Sequence, residues 1–327
     1  MDKLFKKRVF IYGPVTAIVL LALPWLAHNA YAHHLMIMMG LAIILAVSNR
    51  LILFSGAWFM GHAAFYAIGA YGLVLLRSKA GLNFWMALPL IGLVSGFVAI
   101  GLGYATSRIK GIPFCIISVA FVEVVRLTII KTPYLGGHKA LRCPPPEGIL
   151  GIDFSSKIHY YYLILILVVL TILIFYLIER SSVGASLKTI AENEALAESV
   201  GINSVRYKVL TMSLCAFWGG LAGGFYAPYV GVSGPTSFTL LTSIIILIHV
   251  VVGGMGNIWG PVTGAIFLTL LPEFLPGKAG YQNILYALIV LASLFFLPNG
   301  LVSLPGMVDR KIGWTFVKRN GSENKDA

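Results

Sequence analysis

Ten apolar runs follow one another along this 327-residue chain, at roughly residues 9–27, 33–49, 60–76, 84–106, 112–130, 159–178, 208–231, 239–254, 257–275 and 281–298. Runs of that length match the ~20 residues a helix needs to cross a bilayer's hydrocarbon core. Inside hydrocarbon a single segment can satisfy its own backbone only as a helix. The expected fold is therefore all-α: a polytopic membrane helical bundle of about ten transmembrane helices. Only 11% of the residues are charged and the mean hydropathy is +0.88, against ~25% charged residues in soluble domains.

The formal charge of +12 would suggest nucleic acid in a soluble protein. Here the basic residues fall between the apolar runs, so the expected partner is the lipid bilayer and not a nucleic acid. An even number of spans puts both termini on one side. With the N-terminus inside, sixteen Lys and Arg fall in inner loops and tails, Arg50, Arg108, Lys110, Arg180 and Arg206 among them. Seven fall outside, and Arg126 lies within a span. The bias predicts that both termini are cytoplasmic. Ala30-Tyr31-Ala32 has the form of a cleavage site, but the 19-residue run before it exceeds the ~7–15 of a signal-peptide core and reads as an uncleaved span. The chain divides into a tail and first span (1–32), a transmembrane domain (33–305) and a C-terminal tail (306–327).

One polar stretch, residues 179–208, interrupts the apolar runs with four basic and four acidic residues. Ala191, Ala195, Ala197, Val200 and Ile202 recur through it at helical spacing, and Gly201 ends the pattern as a C-terminal glycine would. It reads as an amphipathic helical hairpin on the cytoplasmic face. Docking of a soluble partner and capping of the bundle are both compatible with it.

Two junctions are too glycine-rich for ordinary loops: Ser55 to His62, and Val252 to Pro261 with Gly253, Gly254, Gly256 and Asn257. Broken backbone at membrane depth survives where protein covers it or where it lines a wet cavity, and transporters build pathways from such breaks. A third junction, Val232 to Phe238, falls on the outer side. The breaks after spans 2 and 7, which run in opposite directions, hint at an inverted repeat of spans 2–5 and 7–10. Gly92-x-x-x-Gly96 and Gly219-x-x-x-Gly223 permit close helix approach, within one subunit more readily than across a dimer seam.

Glu123 and Arg126 are the clearest intramembrane charges; three apart, they share a helix face and can pair, to stabilise the bundle or to face a pathway. His62, after a glycine at the start of a span, can cap that helix or face the pathway. His249 reads as a core histidine. No catalytic set, P-loop or metal-ligand spacing is present, and Cys115, Cys143 and Cys215 form no framework. No catalytic residue, metal or cofactor is expected, and the chain does not itself hold ATP by a P-loop.

Together, Met60-Gly61-His62-Ala63-Ala64-Phe65, Val119 to Glu123 with Arg126, the 179–208 stretch, Gly220-Leu221-Ala222-Gly223, Pro235-Thr236-Ser237-Phe238 and Gly253 to Pro261 resemble the inner-membrane permease subunits of branched-chain amino-acid type ABC importers, specifically the M-type subunit. The resemblance covers about residues 35–305. It implies a type II importer-like bundle in the bacterial inner membrane, two ATP-binding ABC subunits, a second similar permease subunit and a periplasmic solute-binding protein. It implies an ATPase-coupling element at Ile190–Ile202, carried by Glu192, Glu194, Ala195, Ala197 and Gly201. Apart from the resemblance, the intramembrane charges and glycine-rich breaks make His62, Glu123, Arg126, Gly253, Gly254, Gly256 and Asn257 the candidates for a translocation pathway. Arg50 stands where the family usually carries an apolar residue, and Phe59-Met60 and His138-Lys139 also depart from its pattern. A different class, a stand-alone secondary transporter or channel using Glu123 or His62 as an ion site, predicts gradient-driven flux by this chain alone.

Overall fold

The computed structural model describes residues 24–25, 29–137, 140–148, 154, 156–275, 279–297 and 300–303. The first expected span, 9–27, and the tail 306–327 lie outside the described residues, apart from Pro24 and Trp25. Among the described residues from Asn29 onward, eleven α-helices follow in order: α1 (Ala30–Phe54), α2 (His62–Ser78), α3 (Phe84–Thr106), α4 (Ile112–Lys131), α5 (Lys157–Arg180), α6 (Ser182–Glu192), α7 (Glu194–Ser199), α8 (Ser204–Val230), α9 (Leu240–Gly253), α10 (Trp259–Phe274) and α11 (Ala279–Phe296).

Six of the expected spans form helical segments long and apolar enough to cross a bilayer: α1, α3, α4, α5, α8 and Pro235–Gly253, which contains α9. At 17 and 16 residues, α2 and α10 reach ~25 Å, short of a ~30 Å hydrocarbon core. The glycine-rich junctions lie at the N-termini of these two short helices, so irregular backbone makes up the remaining depth. Exposed faces of α3, α4 and α5 carry large apolar residues such as Phe97, Ile116 and Leu173, the surface a bundle in hydrocarbon needs.

α8 is the centre, packed against α3, α2 and α1; α1 in turn meets α5, α9 and α10. Missing side chains set the α2–α8 distance. A Cβ on Gly69 would lie 2.1 Å from the Gly220 carbonyl oxygen, and one on Gly223 would lie 2.0 Å from that of Tyr66. Gly92 and Gly96 of α3 receive Phe217 and Ser213 of α8 in the same way. Both small-residue motifs therefore pack within this subunit.

At one end, Leu141–Arg142 and Val232–Ser233 form a two-residue antiparallel ladder. Beside it, Arg77 donates to the carbonyls of Pro144 and Pro145 and to the Glu147 carboxylate, and Glu147 accepts from the Phe84 backbone N–H at the start of α3. The proline-rich loop is thus extended and pinned to the bundle. The 179–208 hairpin occupies the opposite end.

Candidate functional site

The hairpin follows from three capping side chains and one glycine. Ser181 accepts from the Val183 N–H at 3.2 Å and starts α6; Gly184, Leu187 and Ile190 form its buried stripe. Asn193 ends α6 and, through Oδ1, accepts from the Leu196 N–H at 3.2 Å to cap α7. At the other end of α7, Gly201 adopts φ +88°, where L side chains are strained. The N–H groups of Gly201 and Ile202 donate back to the carbonyls of Glu198 and Ala197, both at 3.0 Å, the double bond of a Schellman turn. Asn203 then caps α8 by accepting from Arg206 N–H at 3.0 Å.

The expected coupling residues divide between two faces. Ala197 is fully buried, and Glu194 is clamped between two lysines: Lys208 Nζ donates at 2.5 Å and Lys110 Nζ at 2.7 Å. Glu192 and Ala195 face solvent, joined by Leu196 and Val200, which are 60% and 68% exposed. Leu196, inside the coupling element expected at Ile190–Ile202, is the large apolar residue that α7 leaves exposed beside buried Ala197. Between this hairpin and the ends of α1 and α8 lies a cavity of about 380 Å³, lined by Ser55, Gly56, Lys110, Phe114, Glu194 and Lys208 among others.

Burial works against the Glu194 charge, but hydrogen bonds from Lys110 and Lys208 and the nearby Lys208 charge outweigh it and hold the carboxyl down to about 2, from an ordinary 4.5. A carboxylate with a depressed value stabilises the folded state fully above the ordinary value and loses that contribution as pH falls through the depressed one. Limited proteolysis at the hairpin should therefore stay constant from about pH 8 to about pH 5 and rise only under stronger acid. A rise already between about pH 7 and 5 would mean that the lysine clamp does not hold.

Arg50, expected in an inner loop, is instead inside α1 and only 3% exposed, because α1 continues five residues past the predicted end of its span. Its burial is explained by its partners. Nη1 and Nη2 donate to the two carboxylate oxygens of Glu179 at 2.9 and 3.0 Å, and Nε donates to the Met255 carbonyl at 2.9 Å. Arg50, Glu179 and Met255 were all absent from the expected site; an arginine beside Asn49 at the end of an apolar run was the available signal.

The expected pathway residues lie on three elements: the start of α2, the middle of α4 and the α9–α10 junction. His62 is fully buried at the start of α2, where Nε2 shares a 2.9 Å hydrogen bond with Ser48 Oγ. Glu123 and Arg126 pair along α4, Arg126 Nε donating to Glu123 Oε2 at 2.8 Å, and their side chains remain 37% and 28% exposed. The glycines form a backbone crossing: a Cβ on Gly253 would lie 1.9 Å from the Gly260 carbonyl oxygen, and one on Gly260 would lie 1.8 Å from that of Gly254. Gly254 has φ +112°, Gly256 is exposed, and Asn257 accepts from the Trp259 N–H at the start of α10.

The LivM permease protein of the high-affinity branched-chain amino acid transport system of Salmonella typhimurium is 28% identical over 290 residues, covering 81% of this chain and 67% of the relative. The Escherichia coli LivM permease is 27% identical over the same span. The E. coli ribose import permease RbsC is 24% identical over 169 residues, 49% of this chain and 47% of its own length. No solved structure matches. The family described as branched-chain amino acid transport system / permease component matches residues 31–297; spanning helices, a polar hairpin and that match together mean that this chain belongs to the branched-chain amino acid transport permease family.

Proposed function

We propose that this permease moves branched-chain amino acids or related small polar solutes across the bacterial inner membrane, driven by two separate ATP-binding subunits that contact the hairpin. The carrying observation is the two-faced α7: Glu194 and Ala197 are fixed to the bundle, while Ala195, Leu196, Val200 and the preceding Glu192 stay exposed. A helix anchored on one side with apolar residues bare on the other suits a docked protein partner. In this reading Gly201 sets the turn, both termini and the hairpin are cytoplasmic, and the Pro144–Pro146 end receives a periplasmic solute-binding protein. A second, similar permease completes the assembly, covering the exposed face of α4 that carries Glu123 and Arg126.

The pathway assignment for His62, Glu123, Arg126, Gly253, Gly254, Gly256 and Asn257 belongs to the same proposal, as does the division 1–32, 33–305 and 306–327. So do the ten-span count and the inverted repeat. In support of the repeat, the breaks after α1 and α8 each set a fully buried phenylalanine, Phe59 and Phe238, shortly before the next helix. The cargo reading follows the LivM relatives; the ribose permease widens the range of solutes.

The test is reconstitution into liposomes. Leucine uptake is expected only when ATP, the ATP-binding subunits and the binding protein accompany this chain. Gradient-driven accumulation by the chain alone would overturn the proposal in favour of a secondary transporter, for which the partly exposed Glu123 would be the first ion site to examine.

A further inference from the structure

Arg50 joins three elements that the chain separates widely. It sits on α1, its carboxylate partner Glu179 is the penultimate residue of α5, three residues before Ser182 begins α6, and its carbonyl partner Met255 follows α9. A buried guanidinium loses several kcal/mol of hydration and persists only when its donors are matched. Here Nε, Nη1 and Nη2 are all occupied, the Glu179 contact being the bidentate fork that favours arginine over lysine. Phe54 lies against the guanidinium, 5.5 Å from its carbon to the ring centroid.

Each end of this bridge is stiff. On the hairpin side, α6 presses on the end of α5: a Cβ on Gly184 would lie 2.2 Å from the Glu179 carbonyl oxygen. On the other side, Met255 stands between Gly254 and Gly256, beyond the C-terminus of α9, where backbone carbonyls carry the helix's partial negative charge. Directly beneath is the Gly253–Gly260 crossing, in which α9 and α10 touch backbone to backbone. A displacement of α6 therefore reaches the α9–α10 break through backbone contact at each end and, between them, the buried Arg50–Glu179 fork alone.

We propose that Arg50 is a positioning residue for energy coupling: through Glu179 and Met255 it makes the root of the hairpin, the end of α1 and the α9–α10 break move as one body. This rests on the reading of the hairpin as the ATPase contact. A strut differs from a structural pin in what it changes. Removing a pin lowers the amount of folded complex and depresses ATPase and uptake alike. Removing a strut leaves nucleotide hydrolysis running while less solute moves per ATP.

The experiment uses the complete reconstituted complex with Arg50→Lys or Glu179→Gln. Lysine keeps the charge, but its donors share one nitrogen and cannot reproduce the planar fork that holds both Glu179 oxygens and the Met255 carbonyl. At equal amounts of folded complex, ATPase should stay within about twofold of the unsubstituted complex while leucine moved per ATP falls about tenfold, a size typical of residues along a coupling network. Parallel loss of both activities, or an unchanged ratio, overturns the proposal. A second readout does not depend on transport. In the isolated chain, Arg50→Lys should raise amide hydrogen exchange in both 181–192 and 254–260; a rise confined to one of these segments refutes the strut. If the unsubstituted complex shows no ATP-driven uptake, the importer reading fails on its own, and the exchange measurement still decides whether the strut exists.

Discussion

Exchanging Glu194 for lysine is expected to abolish ATP-driven uptake while the bundle stays folded in the membrane. The substitution places a third cation between Lys110 and Lys208, where both carboxylate oxygens now bind one lysine each. Breaking a fully buried pair costs ~3–5 kcal/mol. The Lys110 side chain is 63% exposed, against 18% for Lys208 and 13% for Glu194, so solvent screens part of the interaction and the loss is smaller than for a fully buried pair. That is local energy. It falls on a six-residue helix held to the bundle by Glu194, buried Ala197 and the Ser204 hydroxyl that donates to Glu198, and a helix so short has no independent stability. α7 should detach, carrying the exposed Leu196 and Val200 out of register with any docked subunit. Gly201→Val tests the same element by another route, since a β-branched residue at φ +88° adds ~1–2 kcal/mol of backbone strain without touching a charge. Uptake assays with the ATP-binding subunits present, alongside circular dichroism of the purified chain, decide it. Normal uptake by both variants would separate the hairpin from coupling.

The long apolar helices were legible because hydrocarbon leaves the backbone one solution: α3 was predicted at 84–106 and spans Phe84–Thr106. The hairpin was legible for a different reason. Its signals are local ones, the helical spacing from Ala191 to Ile202 and Gly201 as terminator, and local signals survive whatever packs above them; Ser181, Asn193 and Asn203, which cap its helices, are further local signals that the sequence reading leaves unused. Arg50 was misread because a charge at the end of an apolar run looks the same whether it begins a loop or pairs inside the bundle. Only its partners distinguish the two cases, and Glu179 and Met255 lie 129 and 205 residues away. The same limit applies to the glycine-rich junctions. Sequence marks Gly253, Gly254 and Gly260 as permissive backbone; that they permit a helix crossing depends on where α10 returns. α10 also comes out shorter than its apolar run suggested, because the run's first residues belong to the irregular segment ahead of it, while α2 keeps the expected length and starts two residues later.

A second large effect belongs to the α2–α8 seam, where Gly223→Ala is expected to unfold the bundle although one methyl group is all it adds. The new Cβ would lie 2.0 Å from the Tyr66 carbonyl oxygen and 2.7 Å from the Ala70 nitrogen. Both obstacles are helix backbone, so no rotamer change relieves them and α2 must move outward as a whole. Because Gly69 approaches the Gly220 carbonyl in the same seam, that movement also empties contacts one turn away. Overpacking a rigid site costs roughly 3 kcal/mol or more. Gly101→Ala in α3 is the matched comparison: nothing lies within 4 Å of its Cβ and the residue is exposed, so the helix-propensity gain of up to ~1 kcal/mol stands alone. Thermal melting in detergent, followed by size-exclusion recovery, should lower the midpoint and the monodisperse fraction for Gly223→Ala and leave Gly101→Ala equal to or above the unsubstituted chain. Equal midpoints for the two variants would mean that α2 and α8 are free to separate, and that backbone contact between them does not hold the centre of the bundle.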